Sequence, residues 1–273
     1  MNEILAYWPL LVGLSITGMV SGVAAGLLGI GGGVIIVPAV AFALERMGYS
    51  GDVVQHVAVA SSLSIIIPTG LQSARSHSKR GAVDMTILRL WAPFVLAGCL
   101  IGGLMARWFS GDVLRIVFGV MALLIALNVV TPLQTRLMGH LRSSPLTHRI
   151  AASVVGYVSA LMGIGGGSLS VPTIVAFGET MHKAVGTGAA IGVFIAIGGT
   201  IGFVVSGWGE AGLPPLSLGY VNLIALVLVG GFAAVTAPAG VALAHRLDQR
   251  TLKYVFAAFL VVVGVNMIWK AVA

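Results

Sequence analysis

The chain has 273 residues, of which 58% are hydrophobic and only 8% are charged, and its mean hydropathy is +1.05. A soluble domain normally carries about 25% charged residues, and several apolar runs here reach the ~20 residues that a membrane helix needs. We therefore predict an all-α polytopic membrane protein, and we interpret the net charge of +7 as a signal of membrane orientation rather than of nucleic-acid binding.

Ten apolar segments are predicted in chain order, five in each half. They cover residues 5–28, 34–44, 56–74, 87–106, 113–131, 149–162, 168–178, 184–206, 218–244 and 251–272. Two of them, 34–44 and 168–178, are too short to cross a bilayer of ~30 Å at 1.5 Å per residue. Each of these two carries a proline near its start, so we expect both to be arms of broken-helix hairpins.

A glycine-rich motif occurs twice, once before each short segment. The first copy reads L-L-G-I-G-G-G-V-I-I-V-P over residues 27–38, and the second reads L-M-G-I-G-G-G-S-L-S-V-P over 161–172. From Leu27 to Glu45 the copies align without a gap at an offset of 134, and 9 of 19 positions are identical. Residues 93–128 also align with 231–266 without gaps, so nearly the whole chain consists of two copies of one unit.

These repeats define the predicted organisation of the chain. Residues 1–131 form the first repeat, a hairpin over 5–44 followed by three membrane helices. Residues 132–148 form a basic cytoplasmic linker, and residues 149–273 form the second repeat, with a hairpin over 149–178 and three membrane helices.

Two topologies compete, and the basic residues discriminate between them. With four crossings in each half, the 15 basic residues split 8 and 7 between the two sides, which gives no orientation. With five segments in each half the split is 11 to 4, the asymmetry that cytoplasmic loops produce. The smaller group is Arg46, Arg107, Arg115 and Lys270. We therefore predict inverted repeats in a multi-pass membrane protein, with both termini periplasmic.

The hairpins are the predicted functional centre. In inverted repeats they meet near the midplane, where helix N-termini offer unpaired N–H groups and a partial positive charge of ~0.5 each. Glycines leave the backbone open to a ligand, so we predict a small-anion site at Gly31, Gly32, Gly33, Gly165, Gly166 and Gly167. The alternative stays open that these glycines only allow close helix packing.

Other matched residues give further candidates. Ser61 and Thr187 correspond across the repeat and are candidate hydroxyl donors to the anion, or else hydrogen-bond only within the protein. Glu45 with His56, and Glu179 with His182, form candidate gating or proton-sensing pairs, since histidine titrates near neutral pH. Interfacial anchoring explains the same four residues.

The sequence lacks the residue patterns that several other functions require. No acidic residue lies deep in an apolar segment, so a central carboxylate relay is not predicted, and a midplane carboxylate would repel an anion. The sequence has no H-E-x-x-H or G-x-S-x-G motif, so we do not predict an enzyme. The single Cys99 lies in an apolar run, and neither a metal site nor a cofactor is expected.

The doubled G-I-G-G-G-x-x-x-x-P motif at Gly29–Pro38 and Gly163–Pro172, with His-x-Ala-Val at His56 and His182, resembles the TauE/SafE sulfite exporter family over essentially the full chain. The resemblance implies a bacterial inner-membrane carrier of sulfite, of short sulfonates such as sulfoacetate, or of other organic anions. The expected partners are the anion, the lipid bilayer and, as a candidate coupling ion, the proton. An anion channel of the same architecture is the alternative.

Overall fold

A computed structural model describes residues 2–28, 32–49, 51–131, 143–244 and 249–273. These residues form ten α-helices, one short 3₁₀ turn over Ala106–Trp108, and a two-stranded antiparallel ladder of β1 (Ser217–Leu218) and β2 (Val221–Asn222). The helices are α1 (Asn2–Leu28), α2 (Gly33–Arg46), α3 (Asp52–Lys79), α4 (Met85–Met105), α5 (Gly111–Val130), α6 (Pro145–Met162), α7 (Gly167–Ala176), α8 (Met181–Ser206), α9 (Leu223–Ala244) and α10 (Gln249–Val272). Each of the ten predicted segments corresponds to one helix, and the all-α prediction is confirmed.

The helix ends follow from local residues. Ser144 and Thr147 form a reciprocal capping box at the start of α6, so the last four residues of the predicted linker are helical. Residues 132–142 of that linker lie outside the described residues. Gly163, with φ of 69°, ends α6, and Gly32, with φ of 72°, precedes α2. Glycine adopts this left-handed conformation without a Cβ clash, so both breaks depend on it.

Two helices form the centre of the molecule. Within the described residues, six helices are long and apolar enough to cross a membrane, namely α3, α4, α5, α8, α9 and α10. The most apolar windows of α3 and α8 are 78% and 61% buried, against 28–39% for the other four. The central position of α3 explains how it accommodates a run of polar side chains at membrane depth, because other helices rather than lipid surround it.

The paired helices show the direction in which each repeat runs. A Cβ on Gly18 of α1 would lie 2.7 Å from the Val229 carbonyl of α9, and one on Gly22 would lie 2.4 Å from that of Ala233. The residue numbers rise together along the two helices, so α1 and α9 run in the same direction. The matched pair α6 and α4 is also parallel, through the contacts Gly98–Ser153 and Gly102–Tyr157.

Equivalent helices of the two repeats run in opposite directions. Along the α3–α8 contact, Leu63 meets Gly199 and Gly70 meets Val193, so one number falls as the other rises. The contact of α5 with α10 is antiparallel in the same way, with Gly119 against Ile268 and Leu123 against Gly264. Equivalent helices of parallel repeats would run the same way, so the repeats are inverted.

The hairpins return the chain to the side from which it came. Contacts of Ser61 with Asn222 and of Ile65 with Gly230 make α9 parallel to α3, so α1 and α3 also run the same way. The intervening α2 must therefore carry the chain back. The contacts of Leu96 with Gly198 and of Leu100 with Gly202 make α8 parallel to α4, as α6 is. By the same argument α7 therefore carries the chain back between α6 and α8. Each repeat thus has five segments, and the four-crossing alternative does not fit.

Three exposed tryptophans mark one edge of the helix bundle. Trp108 follows α4, Trp208 follows α8 and Trp269 lies near the end of α10, and each is 71% exposed. The helix directions place all three ends on the same side. Tryptophan is enriched where a membrane meets water, so this edge matches one membrane interface.

Candidate functional site

The two hairpins contact each other inside the bundle. A Cβ on Gly33 would lie 2.6 Å from the Gly163 carbonyl oxygen and 3.0 Å from the side chain of Ile66, which lies near the middle of α3. One on Gly163 would lie 2.9 Å from Val37. Ser62 of α3 donates a hydrogen bond of 2.7 Å to the Gly163 carbonyl. The predicted meeting of the hairpins is therefore observed, and α3 ties them together.

Both short helices begin at this junction without a side-chain cap. The Gly32 carbonyl accepts hydrogen bonds from the N–H groups of Ile35 and Ile36, and the Gly166 carbonyl accepts one from the N–H of Ser170. These are the first backbone hydrogen bonds of the two short helices. Neither Gly32 nor Gly166 has a side-chain cap bond. The first-turn N–H groups of a helix have no partner within it, so two positive helix ends lie in the interior. Gly31 lies outside the described residues, Gly165 is buried and Gly167 is half-buried.

Two of the predicted glycines are points of close packing. A Cβ on Gly166 would lie 2.4 Å from the Gly188 carbonyl and 2.6 Å from the Gly192 nitrogen of α8. Gly33 abuts the opposite hairpin in the same way. Close packing therefore accounts for glycine at Gly33 and Gly166, and the anion site predicted at the glycine-rich motifs stays a prediction.

Ser61 and Thr187 make the same contact in opposite repeats. The fully buried Ser61 hydroxyl oxygen accepts from the Asn222 N–H at 3.0 Å, and that of Thr187 accepts from the Asp84 N–H at 2.9 Å. Asn222 and Asp84 each cap the first turn of the following helix, α9 and α4. Each hydroxyl thus joins a central helix to the start of a helix of the other repeat, and its role as a substrate ligand stays a prediction.

The cap at Asp84 is also electrostatic. The backbone N–H groups of Ile87 and Thr86 lie 3.1 Å and 2.9 Å from its Oδ1, and Lys183 Nζ lies 3.4 Å from Oδ2. The Ile87 N–H first, and then the Thr86 N–H and Lys183, hold the pKa of the Asp84 carboxyl below its ordinary value, against an opposing effect of partial burial. The carboxylate form therefore holds α4 to α8 at neutral pH.

Glu45, at the end of α2, has basic partners other than the predicted histidine. Its carboxylate oxygens lie 3.2 Å from Arg115 of α5 and 2.5 Å from Lys270 of α10. Arg115 also pairs with Asp112 at 3.1 Å. The cluster links one hairpin to the last helix of each repeat. It contains two of the four basic residues that the sequence predicts on the periplasmic side, Arg115 and Lys270, so an ionic cluster lies on the face predicted to be periplasmic.

His56 is held among aromatic rings. It is 2% exposed, and its Nε2 lies 2.8 Å from the Ala106 carbonyl, which only accepts, so Nε2 carries the proton. Its ring lies 4.8 Å from that of Tyr220 and 6.5 Å from that of Phe203, centroid to centroid. This setting anchors the start of α3 against the ends of α4 and α8.

The matched pair in the second repeat is more open. Glu179 lies 4.0 Å from Lys183, and His182 is exposed. Lys183 therefore connects two acidic groups, Glu179 and Asp84. The proton-sensing role of the four predicted residues stays a prediction, and His182 is the most exposed of the four.

A groove of about 630 Å³ follows one face of the second half of α3. Its lining residues are Pro68, Leu71, Gln72, Arg75, Ser76 and Lys79. Arg75 and Lys79 are one helical turn apart and both are exposed. The groove therefore presents two positive charges on the side that the sequence assigned to the cytoplasm.

Some buried polar residues were missed at the sequence level. Within the described residues, both amide atoms of Gln55 and the hydroxyls of Ser159, Ser168 and Ser170 are buried and lack hydrogen-bond partners. The last two lie in the first turn and a half of α7. The repeat alignment contains the signal, because S-L-S in the second motif replaces V-I-I in the first. Among the residues that the structure describes, no group of three or more His, Cys, Asp or Glu is placed to hold a metal.

The sequence is similar to those of known membrane proteins. A family model described as sulfite exporter TauE/SafE matches residues 14–267. The chain belongs to the TauE/SafE family. A probable membrane transporter protein of Haemophilus influenzae is 32% identical over 255 residues, covering 93% of this chain and 97% of the relative. The probable membrane transporter YunE of Bacillus subtilis is 28% identical over 279 residues, covering 95% and 97%. No solved structure matches.

Membership fixes the broad function of this TauE/SafE protein. It is a membrane transporter and not an enzyme, as the family and the names of the relatives indicate. The predicted family resemblance is thereby confirmed over nearly the whole chain. At the junction, the hairpin of one inverted repeat contacts the hairpin of the other.

Proposed function

We propose that this TauE/SafE protein is a secondary transporter that exports sulfite or a short organosulfonate such as sulfoacetate across the bacterial inner membrane. The observation that carries the proposal is the junction of two buried, uncapped helix N-termini near the middle of α3 and α8. Helix N-termini bind anions through their N–H groups and their positive dipole ends. In transporters with inverted repeats, broken helices of this kind line the substrate site.

The charge distribution supports an anionic substrate. The acidic side chains that the structure describes lie at helix ends or in loops, away from the junction. The basic groove of Arg75 and Lys79 opens beside α3 on the proposed cytoplasmic side. Positive potential in a groove raises the local concentration of anions, so this groove is a suitable loading path for an exported anion.

The ionic clusters at the two faces suit alternating access. On the proposed periplasmic face Glu45 holds α2 to α5 and α10, and on the opposite face Lys183 bridges α8 and the start of α4. Inverted repeats exchange their conformations as the site opens to one side or the other. Breaking one cluster while the other stays closed opens the site to one side of the membrane at a time. In this proposal both termini are periplasmic, and the proton is a candidate coupling ion.

The test is transport by the purified protein in proteoliposomes. The panel is sulfite, sulfoacetate, thiosulfate, sulfate and lactate, each with and without an imposed pH gradient, and empty liposomes are the control. We expect saturable flux of a sulfur anion that is accelerated by the same anion preloaded on the opposite side. Flux that neither saturates nor shows counterflow would indicate a channel, and saturable flux of lactate alone would indicate a carrier for other organic anions.

A further inference from the structure

We infer that His148 is the residue at which a proton acts on this transporter. With Trp91 and Phe177 it forms a ring lock, which holds the second hairpin closed on the proposed cytoplasmic side while the histidine is neutral. The lock joins the start of α6 and the end of α7, which are the two arms of that hairpin, to α4. The inference rests on the proposed function and deepens it, because it assigns a site to the candidate coupling ion.

The three rings of the lock are packed together. His148 is buried and Trp91 is fully buried. The centroid of the His148 ring lies 3.9 Å from that of Phe177, with 23° between the planes, and the Trp91 ring meets the other two edge-on at 6.2 and 6.4 Å. Both arms of the second hairpin are therefore held to α4 by this cluster.

The hydrogen bond between Trp91 and His148 determines the protonation of the histidine. The indole Nε1–H of Trp91 lies 3.0 Å from His148 Nδ1. An indole N–H only donates, so Nδ1 is unprotonated. The proton of the neutral ring is then on Nε2, which lies 3.2 Å from the Ser143 hydroxyl. Ser143 is exposed, so this side of the ring borders the solvent.

Protonation of His148 would break its bond with Trp91. A protonated imidazole donates from both nitrogens, so Nδ1–H would face the indole N–H, and the buried indole would lose its acceptor. Histidine is the side chain whose charge ordinarily changes between pH 5 and 8. The lock is therefore closed at high pH and is released as the pH falls.

Glu179 offers the protonated ring a different partner. At the proposed cytoplasmic end, the described titratable and charged residues on the elements around His148 are Asp84 and Arg89 of α4, Arg149 of α6, Glu179 after α7, and His182 and Lys183 of α8. Among these, Glu179 is the residue whose charge acts on His148. Arg149 instead places its guanidinium 5.4 Å from the centroid of a phenylalanine ring of α4. The neutral ring thus pairs with the indole, and the charged ring is drawn toward the carboxylate, which gives the lock two states.

The first repeat has no titratable group at the equivalent place. The register of the two repeats is fixed by a matched contact, Gly22 with Ala233 in the first and Gly156 with Val95 in the second. In this register the residues equivalent to Trp91, His148 and Phe177 are Val229, Leu14 and Ala43. The last two of these line an apolar cavity of about 290 Å³. The proton response is therefore confined to the second hairpin and to one side of the membrane.

The first measurement is sulfoacetate flux in proteoliposomes from pH 8 to 5.5, with equal pH on both sides so that no proton gradient drives transport. Sulfoacetate keeps its charge because carboxyl groups titrate near pH ~4. We expect the wild-type flux to rise about fivefold or more as the pH falls and the lock is released. His148→Asn retains an acceptor, Oδ1, in place of Nδ1 but does not titrate, so its flux should stay at its high-pH level throughout.

The second measurement, thermal unfolding in detergent over the same pH range, needs no substrate. The folded protein disfavours a proton on His148 and the unfolded chain does not, so stability falls as the pH falls. We expect the Tm of the wild type to fall about 2–4 °C more than that of His148→Asn. Trp91→Phe, which removes the indole N–H, should show an intermediate dependence. Trp108→Phe is the matched control at an exposed tryptophan and should follow the wild type.

The outcomes separate this inference from the proposed function. If the wild type carries no sulfur anion, the proposed function fails, while the comparison of Tm values still tests the lock. The inference is overturned, with the function intact, if the wild-type flux does not depend on pH or if His148→Asn follows pH as the wild type does. It is also overturned if the Tm of Trp91→Phe depends on pH as that of the wild type does, and this result decides alone if His148→Asn does not fold.

Discussion

Gly166 shows why the glycine-rich motif requires glycine at the junction of the two hairpins. Its position against the backbone of α8 leaves no room for a side chain, although its φ of −60° is one that any residue adopts. The requirement for glycine is therefore steric rather than conformational. At Gly32 and Gly163, by contrast, the left-handed backbone itself favours glycine. The motif therefore requires glycine for two different physical reasons, steric at Gly166 and conformational at Gly32 and Gly163.

Gly166→Ala should destabilise the protein. The new methyl group would lie 2.4 Å from the Gly188 carbonyl, and relieving such overpacking costs about 1–3 kcal/mol. Gly231→Ala is the matched control, since a Cβ there meets nothing within 4 Å and alanine favours the helix by about 0.5–1 kcal/mol. Thermal unfolding of both variants in detergent checks this. A Tm for Gly166→Ala equal to or above that of Gly231→Ala would contradict the packing assignment.

At the scale of elements, the central helices hold the outer helices through a repeated contact. Ser61 of α3 receives the N–H that begins α9, and Thr187 of α8 receives the N–H that begins α4. The two contacts cross between repeats, so each central helix fixes the start of a helix from the other half. Both hydroxyls therefore have a structural task, and their additional role as substrate ligands stays a prediction.

Thr187→Val should lower stability and leave substrate affinity nearly unchanged. The variant keeps the shape of the side chain but leaves the Asp84 N–H without its acceptor, which costs about 1 kcal/mol or more. Thr187→Ser retains the hydroxyl and should recover most of that loss. The Tm and the sulfite KM of the two variants are the measurements. A tenfold rise in KM for Thr187→Val, with Tm unchanged, would instead identify Thr187 as a substrate ligand.

At the scale of the whole molecule, inversion explains why the chain has two faces of matched construction. Parallel pairing of α1 with α9 and of α4 with α6, together with antiparallel pairing of α3 with α8, is the pattern of two units related by a pseudo-twofold axis across the helices. The edge with exposed Trp108, Trp208 and Trp269 is the edge with few basic residues. The charge asymmetry and the aromatic residues therefore agree on the two interfaces.

Single cysteines at Gly48, Thr180 and Glu210 should test this topology in a Cys99→Ala background. The helix directions place Gly48 and Glu210 on one side and Thr180 on the other. We expect a membrane-impermeant thiol reagent added to intact cells to label the cysteines at Gly48 and Glu210, and to label that at Thr180 only after permeabilisation. Labelling of the Gly48 and Thr180 positions from the same side would instead support four crossings per repeat.

The sequence by itself determined the class and the plan of this protein. Hydropathy located the ten segments because a helix in lipid must be apolar along its own length, which is a local property. The doubled motif revealed the repeat, and the 11-to-4 distribution of basic residues gave its inversion, because orientation depends on loop composition alone. The helix breaks were also readable, since glycine and proline act on their own backbone.

Only the tertiary structure decided which residues at the hairpins meet and what they do. The partners of Glu45 are 70 and 225 positions away along the chain, and no local pattern specifies such a pairing. Gly33 and Gly166 are packing points because particular backbones cross there, while the buried hydroxyls of Ser168 and Ser170 have no hydrogen-bond partner among the residues that the structure describes. A hydroxyl in an apolar run is satisfied or left free according to its neighbours in space, and folding alone brings those neighbours to it.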